Sequence, residues 1–395
     1  MNVVGVVAEY DPFHCGHAYH LAQARALTQA DYAVVVMSGC FTQRGQGAVV
    51  APAMRAQMAL AGGADVVLEL PVPWAVREAE HFALGAVNML HRLGCVTHLA
   101  FGAESAELSP LLACAQLLEC PTPAFTQALR AGLDAGLSHP AAVGRALAAA
   151  FPGMALDQPN NVLALCYLRA LLRLRAPISP VLIQRQGAYH ATDLTDAPLP
   201  SATAVRGALR RGTWAQVRHA VPDASYKLLR QAAQNETIFH PQCLDPVLLY
   251  LLRTMSPEAL RAVPGCVEGL ENRLVAAARS ASTREELLEA AKTKRYPYAR
   301  LSRVCTSLLL GLTDEVVRPD LLPPYARLLG FRRRALPLLK AIKKGSLPIL
   351  EKAADGPRNS AVLQADARAY DLWCLGAQQP AGLMWRQQIA MLDNC

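Results

Sequence analysis

The stretch Val3-Val4-Gly5-Val6-Val7-Ala8-Glu9-Tyr10-Asp11-Pro12-Phe13-His14-Cys15-Gly16-His17-Ala18-Tyr19-His20-Leu21 decides the fold. A valine-rich run reads as a buried strand, Asp11-Pro12 breaks it, and the periodic Leu21, Ala24 and Leu27 predict an amphipathic helix beginning near Gly16. Two histidines, His14 and His17, therefore stand where the loop meets the helix. A glycine between them lets backbone N–H groups approach a phosphate while imidazole donors reach its oxygens. The helix N-terminus adds a dipole that favours an anion.

Outward from this unit, strand-like and helix-like stretches alternate. Tyr32 to Met37, Asp65 to Leu70 and Val96 to Phe101 read as strands, Pro52 to Ala61 and Glu78 to Leu93 as helices. Such alternation predicts an α/β fold with a parallel sheet and right-handed crossovers. The loops that follow the strands then gather at one edge. These are Tyr10 to His17, Ser38 to Gly47, Leu70 to Trp74 and Gly102 to Ser105.

Residues 108–150 are rich in alanine and leucine and predict two or three helices inserted over the sheet. Asn160-Asn161 then opens a helix running to about Arg175, with asparagine suited to its N-cap. Pro180 to Ile183 reads as a strand, and Ser201-Ala202-Thr203-Ala204-Val205-Arg206 as a capped helix start after a proline-marked loop. Past about residue 220 helix follows helix with no β-branched alternation. A mainly α-helical domain over 221–395 is expected after an α/β domain over 1–220. From Lys292 to Lys344 the chain carries thirteen Lys or Arg against three acids, interleaved with Tyr296, Tyr298, Tyr325 and Phe331. Such a stripe suits RNA phosphates with bases stacked on the rings, although a solvated helical face has the same composition.

The chain of 395 residues has room for two or three domains, and its formal charge of +8 permits a polyanionic partner. Its eleven cysteines are scattered without a CxxC pair and read as free thiols in a reducing compartment. Glu9 and Asp11 follow the first strand directly, which does not fit a signal peptide, and no apolar run suits a membrane span. A soluble cytoplasmic protein is expected.

His14-Cys15-Gly16-His17 resembles the (T/H)xGH signature of the HIGH-type nucleotidylyltransferase superfamily, and residues 201–206 resemble its second signature, SSTxxR. A narrower resemblance covers most of the chain. EYDPFHCGHAYHL (9–21), MSGCFTQRG (37–45), RAQMALAGGADVVLELP (55–71), FGAES (101–105), NNVLALCYLRAL (160–171) and SATAVR are similar to the bacterial tRNA(Met) cytidine acetate ligases, as is the basic KTKRYPYARLSR (292–303). That resemblance implies a Rossmann-like nucleotidylyltransferase domain followed by a tRNA-binding helical one. It implies activation of acetate by ATP as acetyl-adenylate, then acetylation of the wobble cytidine of elongator tRNA(Met) to N4-acetylcytidine. The implied ATP site takes in Val7 to His20, Gly102, Asn160 or Asn161, and Arg185, with Asn161 favoured over Asn160. His14 and His17 face the phosphates, and Ser201, Thr203 and Arg206 hold the β- and γ-phosphates. Mg2+ is expected with ATP, its protein ligands unassigned. For tRNA the implied contacts are Lys292, Lys294, Arg295, Arg300 and Arg303.

The family pattern has asparagine where Asp11, Cys15 and Cys40 stand, and a lysine where Pro52 and Ala53 stand. Asp11 beside a triphosphate is repulsive unless it helps to hold magnesium. A metal site of His14, His17 and His20 is a rival, but the third residue leaves the shared helix face. Asp65 and Glu69 read as structural or solvated, and Gln43-Arg44-Gly45 as a turn or part of the site. Two other functions remain open on sequence grounds: adenylylation of a small phosphate ester, and tRNA binding with a decayed nucleotide site. Acetate-dependent exchange of pyrophosphate into ATP separates the three.

Overall fold

Five short, mainly apolar segments build the centre of the molecule: Val3–Ala8 (β1), Tyr32–Ser38 (β2), Val66–Leu70 (β3), His98–Ala103 (β4) and Ser179–Gln184 (β5). In the computed structural model, which describes residues 1–105, 107–137, 139–154, 156, 158–184, 201–318, 320–357 and 359–393, these strands are parallel in the order β5-β4-β1-β2-β3. The chain winds from β1 outward to β3, then crosses back to β4 on the other side. Winding thus reverses between β1 and β4, and ligands of such sheets bind outside the carboxyl ends at that point.

Alternate side chains of the strands feed two cores. On one face Val34, Val36, Val66 and Leu68 meet Phe82, Ala86 and Leu90 of the helix Ala79–Arg92 and Leu168 of the helix Pro159–Arg173. On the other, Val35, Met37 and Val67 meet Leu21 and Ala24 of the helix Cys15–Thr28 and Ala56, Ala59 and Leu60 of the helix Pro52–Ala61. Each large side chain so buried contributes roughly 1.5–3 kcal/mol, which is why both helices sit flat and hold the strand ends fixed. The insertion over 108–150 forms three helices, Leu108–Glu119, Pro123–Asp134 and His139–Ala150.

Past residue 220 the chain is mainly helical, as expected, but three strands return near its end. Helices run to Val317, and one group of them, including the helices Arg284–Ala291 and Tyr298–Leu309, has its own core around Leu248, Leu252, Leu274, Leu288 and Leu301. Ala326–Arg332 (β6) then pairs antiparallel with β3, and Ile349–Leu350 (β7) and Ala390–Leu392 (β8) pair with β6. The β6 sequence Ala-Arg-Leu-Leu-Gly-Phe-Arg has no β-branched residue, so its strand state comes from the edge it joins rather than from propensity. The helix Ala361–Gly376 closes a further core with Trp373, Tyr370 and Phe41.

Among the described residues no helix is long and apolar enough to cross a membrane, and the ten described cysteines are all free thiols.

Candidate functional site

The loop after β1 ends in a cap built from the two histidines. His14 is the N-cap of the helix Cys15–Thr28: its Nδ1 accepts from the Gly16 N–H at 3.1 Å, and the His17 Nδ1 accepts from the His14 N–H at 3.3 Å. The rings stack with centroids 3.7 Å apart, and the buried Tyr10 and Phe13 rings pack against His17 at 4.8 and 5.7 Å. A neutral imidazole that accepts through Nδ1 carries its proton on Nε2. Both histidines therefore present an Nε2–H donor beside a helix N-terminus, the arrangement an anion requires. Cys15 to His20 continue along the half-buried first turns. The Cys15 thiol points to the His219 carbonyl, 4.0 Å away, and burial pushes its pKa up, so it is not an activated nucleophile.

The second signature meets the first at this loop. Ser201 caps the helix Ala202–Arg210, its hydroxyl accepting from the Ala204 N–H at 3.1 Å. One turn on, Arg206 donates to the Asp11 carbonyl at 2.7 Å and to the Thr203 hydroxyl at 3.2 Å. Asp11 is buried, accepts from the Val49 N–H at 2.7 Å and lies 3.5 Å from the Arg206 guanidinium. Its carboxylate thus ties two loops together and is not set out to hold magnesium. Among the described residues no three His, Cys, Asp or Glu are grouped to bind a metal, so the rival site of His14, His17 and His20 lacks its geometry.

At the end of β4, Gly102 leads into a loop locked to the helix Pro159–Arg173. The Asn161 side-chain oxygen accepts from the Glu104 and Ser105 N–H groups, both at 3.0 Å, and the Glu104 carboxylate accepts from Asn160 Nδ2 at 2.5 Å and the Asn161 N–H at 2.8 Å. Gln158 is the N-cap of that helix, and Pro159 takes its first position, so the asparagines do not cap it as expected. They instead order the loop beside β1. Arg185 lies outside the described residues.

Sequence reasoning passed over two arginines that hold the strand ends in place. Arg55, fully buried, donates to the Glu9 carbonyl at 2.5 Å, to the Val50 carbonyl at 3.3 Å and to the Gly39 carbonyl, joining the loops after β1 and β2. Its place at the start of the RAQMAL segment, on a helix with an otherwise apolar face, is the signal that was available. Arg284 donates to the Gly45 and Ser302 carbonyls, each at 2.8 Å. Gly45, at φ +73°, also accepts from the Thr306 hydroxyl at 2.6 Å, and a Cβ there would stand 2.8 Å from the Ser302 carbonyl oxygen. The Gln43-Arg44-Gly45 turn is therefore docked on the helix Tyr298–Leu309. Gln43 N–H also donates to the Glu9 carboxylate at 2.6 Å, whose pKa burial raises. Of the two readings left open for Glu69 and Asp65, solvated or structural, the structural one holds: Glu69 pairs with Arg327 at 2.8 Å, and Asp65 accepts from Arg25, from Arg334 at 2.7 Å and from the Ala33 N–H at 2.8 Å.

The basic stripe does not survive as one surface. Arg327 is buried against Glu69, Arg332 donates to the Leu60 carbonyl and Arg334 to Asp65. Tyr325 is buried and bonded to Asp366, and Tyr296 is buried and bonded to the Glu268 carbonyl, so neither ring is open to a base. Lys292, Lys294 and Arg295 are exposed in its first part, and Arg318, Arg333, Lys340, Lys343 and Lys344 in its later part. Arg295 and Arg300 share Glu268 at 3.6 and 3.2 Å, and Lys292 lies 3.5 Å from Glu289.

The HIGH Nucleotidyl Transferase family matches residues 1–387. The tRNA(Met) cytidine acetate ligase of Acetivibrio thermocellus is 36% identical over 403 residues, covering 96% of both chains, and that of Syntrophomonas wolfei is 37% identical over 402 residues with the same coverage. Among solved structures, the apo form I of Thermotoga maritima TmcAL superposes with a TM-score of 0.93 at 31% identity, covering 100% of both chains. The same protein bound with alpha-thio ATP gives a TM-score of 0.91 at 30% identity.

Proposed function

The chain belongs to the HIGH nucleotidyl transferase family and, within it, to the tRNA(Met) cytidine acetate ligases, and from this membership we propose that it activates acetate with ATP and acetylates the wobble cytidine of elongator tRNA(Met). The observation that carries this reading is the meeting of the two signatures, Arg206 on the Asp11 carbonyl at 2.7 Å, beside the stacked His14 and His17 at the point where the sheet's winding reverses.

A carboxylate oxygen of acetate attacks the α-phosphorus of ATP in line, and the bond to the bridging oxygen breaks as pyrophosphate leaves. Charge then develops on the phosphoryl oxygens and on the leaving group, so catalysis is positioning and electrostatic stabilisation. His14 and His17 donate through Nε2, and Ser201, Thr203 and Arg206 receive the β- and γ-phosphates. Gly102 and the loop ordered by Asn161 border the nucleoside side. Magnesium enters as part of the MgATP substrate, carried by the triphosphate. In the second step the cytidine N4 amine attacks the carbonyl of acetyl-adenylate, AMP leaves, and the amine gives up a proton. Neither step needs a covalent enzyme intermediate.

The exposed Lys292, Lys294 and Arg295, with Arg300 and Arg303, supply phosphate contacts for the tRNA, and the enzyme works in the cytoplasm where that tRNA is made. Acetate-dependent exchange of labelled pyrophosphate into ATP tests the first step, and acetyl transfer to tRNA(Met) carrying a wobble cytidine the second. Exchange with a phosphate ester in place of acetate, or no exchange, would overturn the reading.

A further inference from the structure

Acetyl transfer takes a proton from the cytidine amine, and the carboxyl edge of the sheet holds few groups able to receive it. His14 and His17 accept backbone N–H groups through Nδ1, which leaves them proton donors through Nε2. Most carboxylates at this edge are spent on protein partners. Asp11 takes the Val49 N–H at 2.7 Å and faces Arg206 at 3.5 Å, and Glu69 holds Arg327 at 2.8 Å and Tyr370 at 3.1 Å. Both oxygens of Glu104 are engaged by Asn160 and Asn161, and Glu78 is shared by Arg77 and His81. Glu9 differs. It is half-buried, its Oε1 accepts from the Gln43 N–H at 2.6 Å, and its Oε2 has no hydrogen-bond or ion-pair partner among the described residues.

The place of Glu9 suits an acceptor nucleotide. It follows β1 directly, between the β4 loop of Gly102 on one side and the loop after β2 on the other. Its side chain reaches the second of these, at the turn Gln43-Arg44-Gly45. That turn is tied to the later chain by Ser302 on the Arg44 carbonyl at 2.8 Å and Thr306 on the Gly45 carbonyl at 2.6 Å. Arg300 and Arg303, assigned above to the tRNA, lie on the same helix as Ser302 and Thr306. With the nucleoside of ATP on the β4 side, the side that Glu9 reaches is the one left for the acceptor. Within the segment implied to bind ATP, a carboxylate offers a phosphate no donor, whereas it can take up a proton. We propose that Glu9 Oε2 is the proton acceptor for the cytidine amine in acetyl transfer. As N4 attacks the acetyl carbonyl carbon, the N–C bond forms, the N4 proton passes to Glu9, and the C–O bond to AMP breaks with AMP leaving as the phosphate anion. Glu9 then returns its proton to solvent. The proposal rests on the ligase reading. Burial raises the Glu9 pKa and Asp11, on its own loop, raises it further, while the Gln43 N–H, Arg206 and Arg44 oppose; Tyr167 of the helix Pro159–Arg173 is the remaining titratable neighbour. A carboxyl raised toward the working pH is the better proton acceptor.

The test compares Glu9→Gln and Glu9→Asp with the unaltered full chain in two readouts: single-turnover acetylation of tRNA(Met), and trapping of acetyl-adenylate by hydroxylamine as acetohydroxamate with acetate and ATP alone. Hydroxylamine is a stronger nucleophile than the cytidine amine, so the hydroxamate reports the first step. Glu9→Gln keeps an acceptor for the Gln43 N–H but no base. It is expected to lower tRNA acetylation by about 10²–10⁴-fold, at least about tenfold more than it lowers hydroxamate formation, and to abolish the rise of the acetylation rate with pH that the unaltered enzyme shows. Glu9→Asp keeps the charge one methylene short and is expected to fall between, with the rise retained; it carries the test should Glu9→Gln fail to fold. Equal losses in both readouts, or a pH profile unchanged in Glu9→Gln, would make Glu9 a structural tie between loops and overturn the proposal. No hydroxamate from the unaltered protein would instead overturn the ligase reading, and the proposal with it.

Discussion

His14 and His17 form a cap, and in the proposed reaction they are also a donor pair, the two roles linked through Nδ1. Each ring spends Nδ1 on a backbone N–H, at 3.1 and 3.3 Å, which fixes the tautomer that carries its proton on Nε2. His17→Ala removes one donor to developing phosphoryl charge and one half of the cap. Acetate-dependent exchange should fall roughly tenfold to a thousandfold, of which the lost cap accounts for little because caps act on stability, at about 1 kcal/mol. Exchange near the unaltered rate would remove His17 from the site. Cys15 lies between them, but its thiol faces the His219 carbonyl and is kept protonated by burial. Cys15→Ala should therefore keep exchange within about twofold of the unaltered rate, the range of a substitution that touches no charge in the transition state, and an abolished reaction would contradict that. Asp11 shows how residue type alone can mislead: a carboxylate beside a triphosphate suggests a metal ligand, whereas here it is buried on Val49 and Arg206.

The elements that hold the site were legible where their own sequence determines them. The valine runs of β1, β2 and β3 and the helix Pro52–Ala61 lie where periodicity places them, and the serine-capped helix at Ala202 as well. What stayed hidden depends on partners distant in sequence: the Glu104 to Asn161 lock, Arg55 across two loops, and β6, whose leucines and arginines read as helix until the β3 edge is present. The same seam of β3 and β6 holds a buried polar group. Asp366 accepts from the Val72 N–H and the Tyr325 hydroxyl, both at 2.7 Å, next to Glu69 and Arg327. Burial first, and the Glu69 charge second, raise its pKa from 3.8 to about 7. A raised carboxyl pKa means the folded state holds a proton that the unfolded chain has released. Its contribution is thus present in full below pH 3.8 and is lost as the pH rises toward about 7. Stability should fall across that interval, and Asp366→Asn, which keeps an acceptor for Val72 without titrating, should flatten the fall. Denaturant midpoints at several pH values would show it, and equal slopes in both proteins would remove Asp366 as the cause.

At the scale of the whole molecule, β6 changes what counts as a domain. A boundary near residue 220 follows from composition, since helix-rich sequence begins there, but the sheet does not end there. β3 lies between β2 and β6, all five of its residues are buried, and Glu69 at its end depends on Arg327 at 2.8 Å and Tyr370 at 3.1 Å. A chain ending at residue 220 would expose a flat, apolar edge strand, the kind that pairs with other copies. It would also strip Glu69 of both partners, Arg327 and Tyr370, together with the rest of the β3–β6 pairing. The truncated chain should therefore aggregate or unfold without cooperativity, although it keeps both nucleotide signatures. A soluble fragment of residues 1–220 that unfolds in one transition and binds ATP would show that the sheet is complete without β6. Co-expression with residues 221–395 should restore solubility if the missing strand is the reason, because β6 supplies both the edge and Arg327. The same dependence gives the Gln43-Arg44-Gly45 turn its place, since its Gly45 carbonyl is held by Arg284 and Thr306 of the later chain. The loop after β2 is thus completed by hydrogen bonds from residues beyond 280, so the early part of the chain does not complete its own loops without the later part.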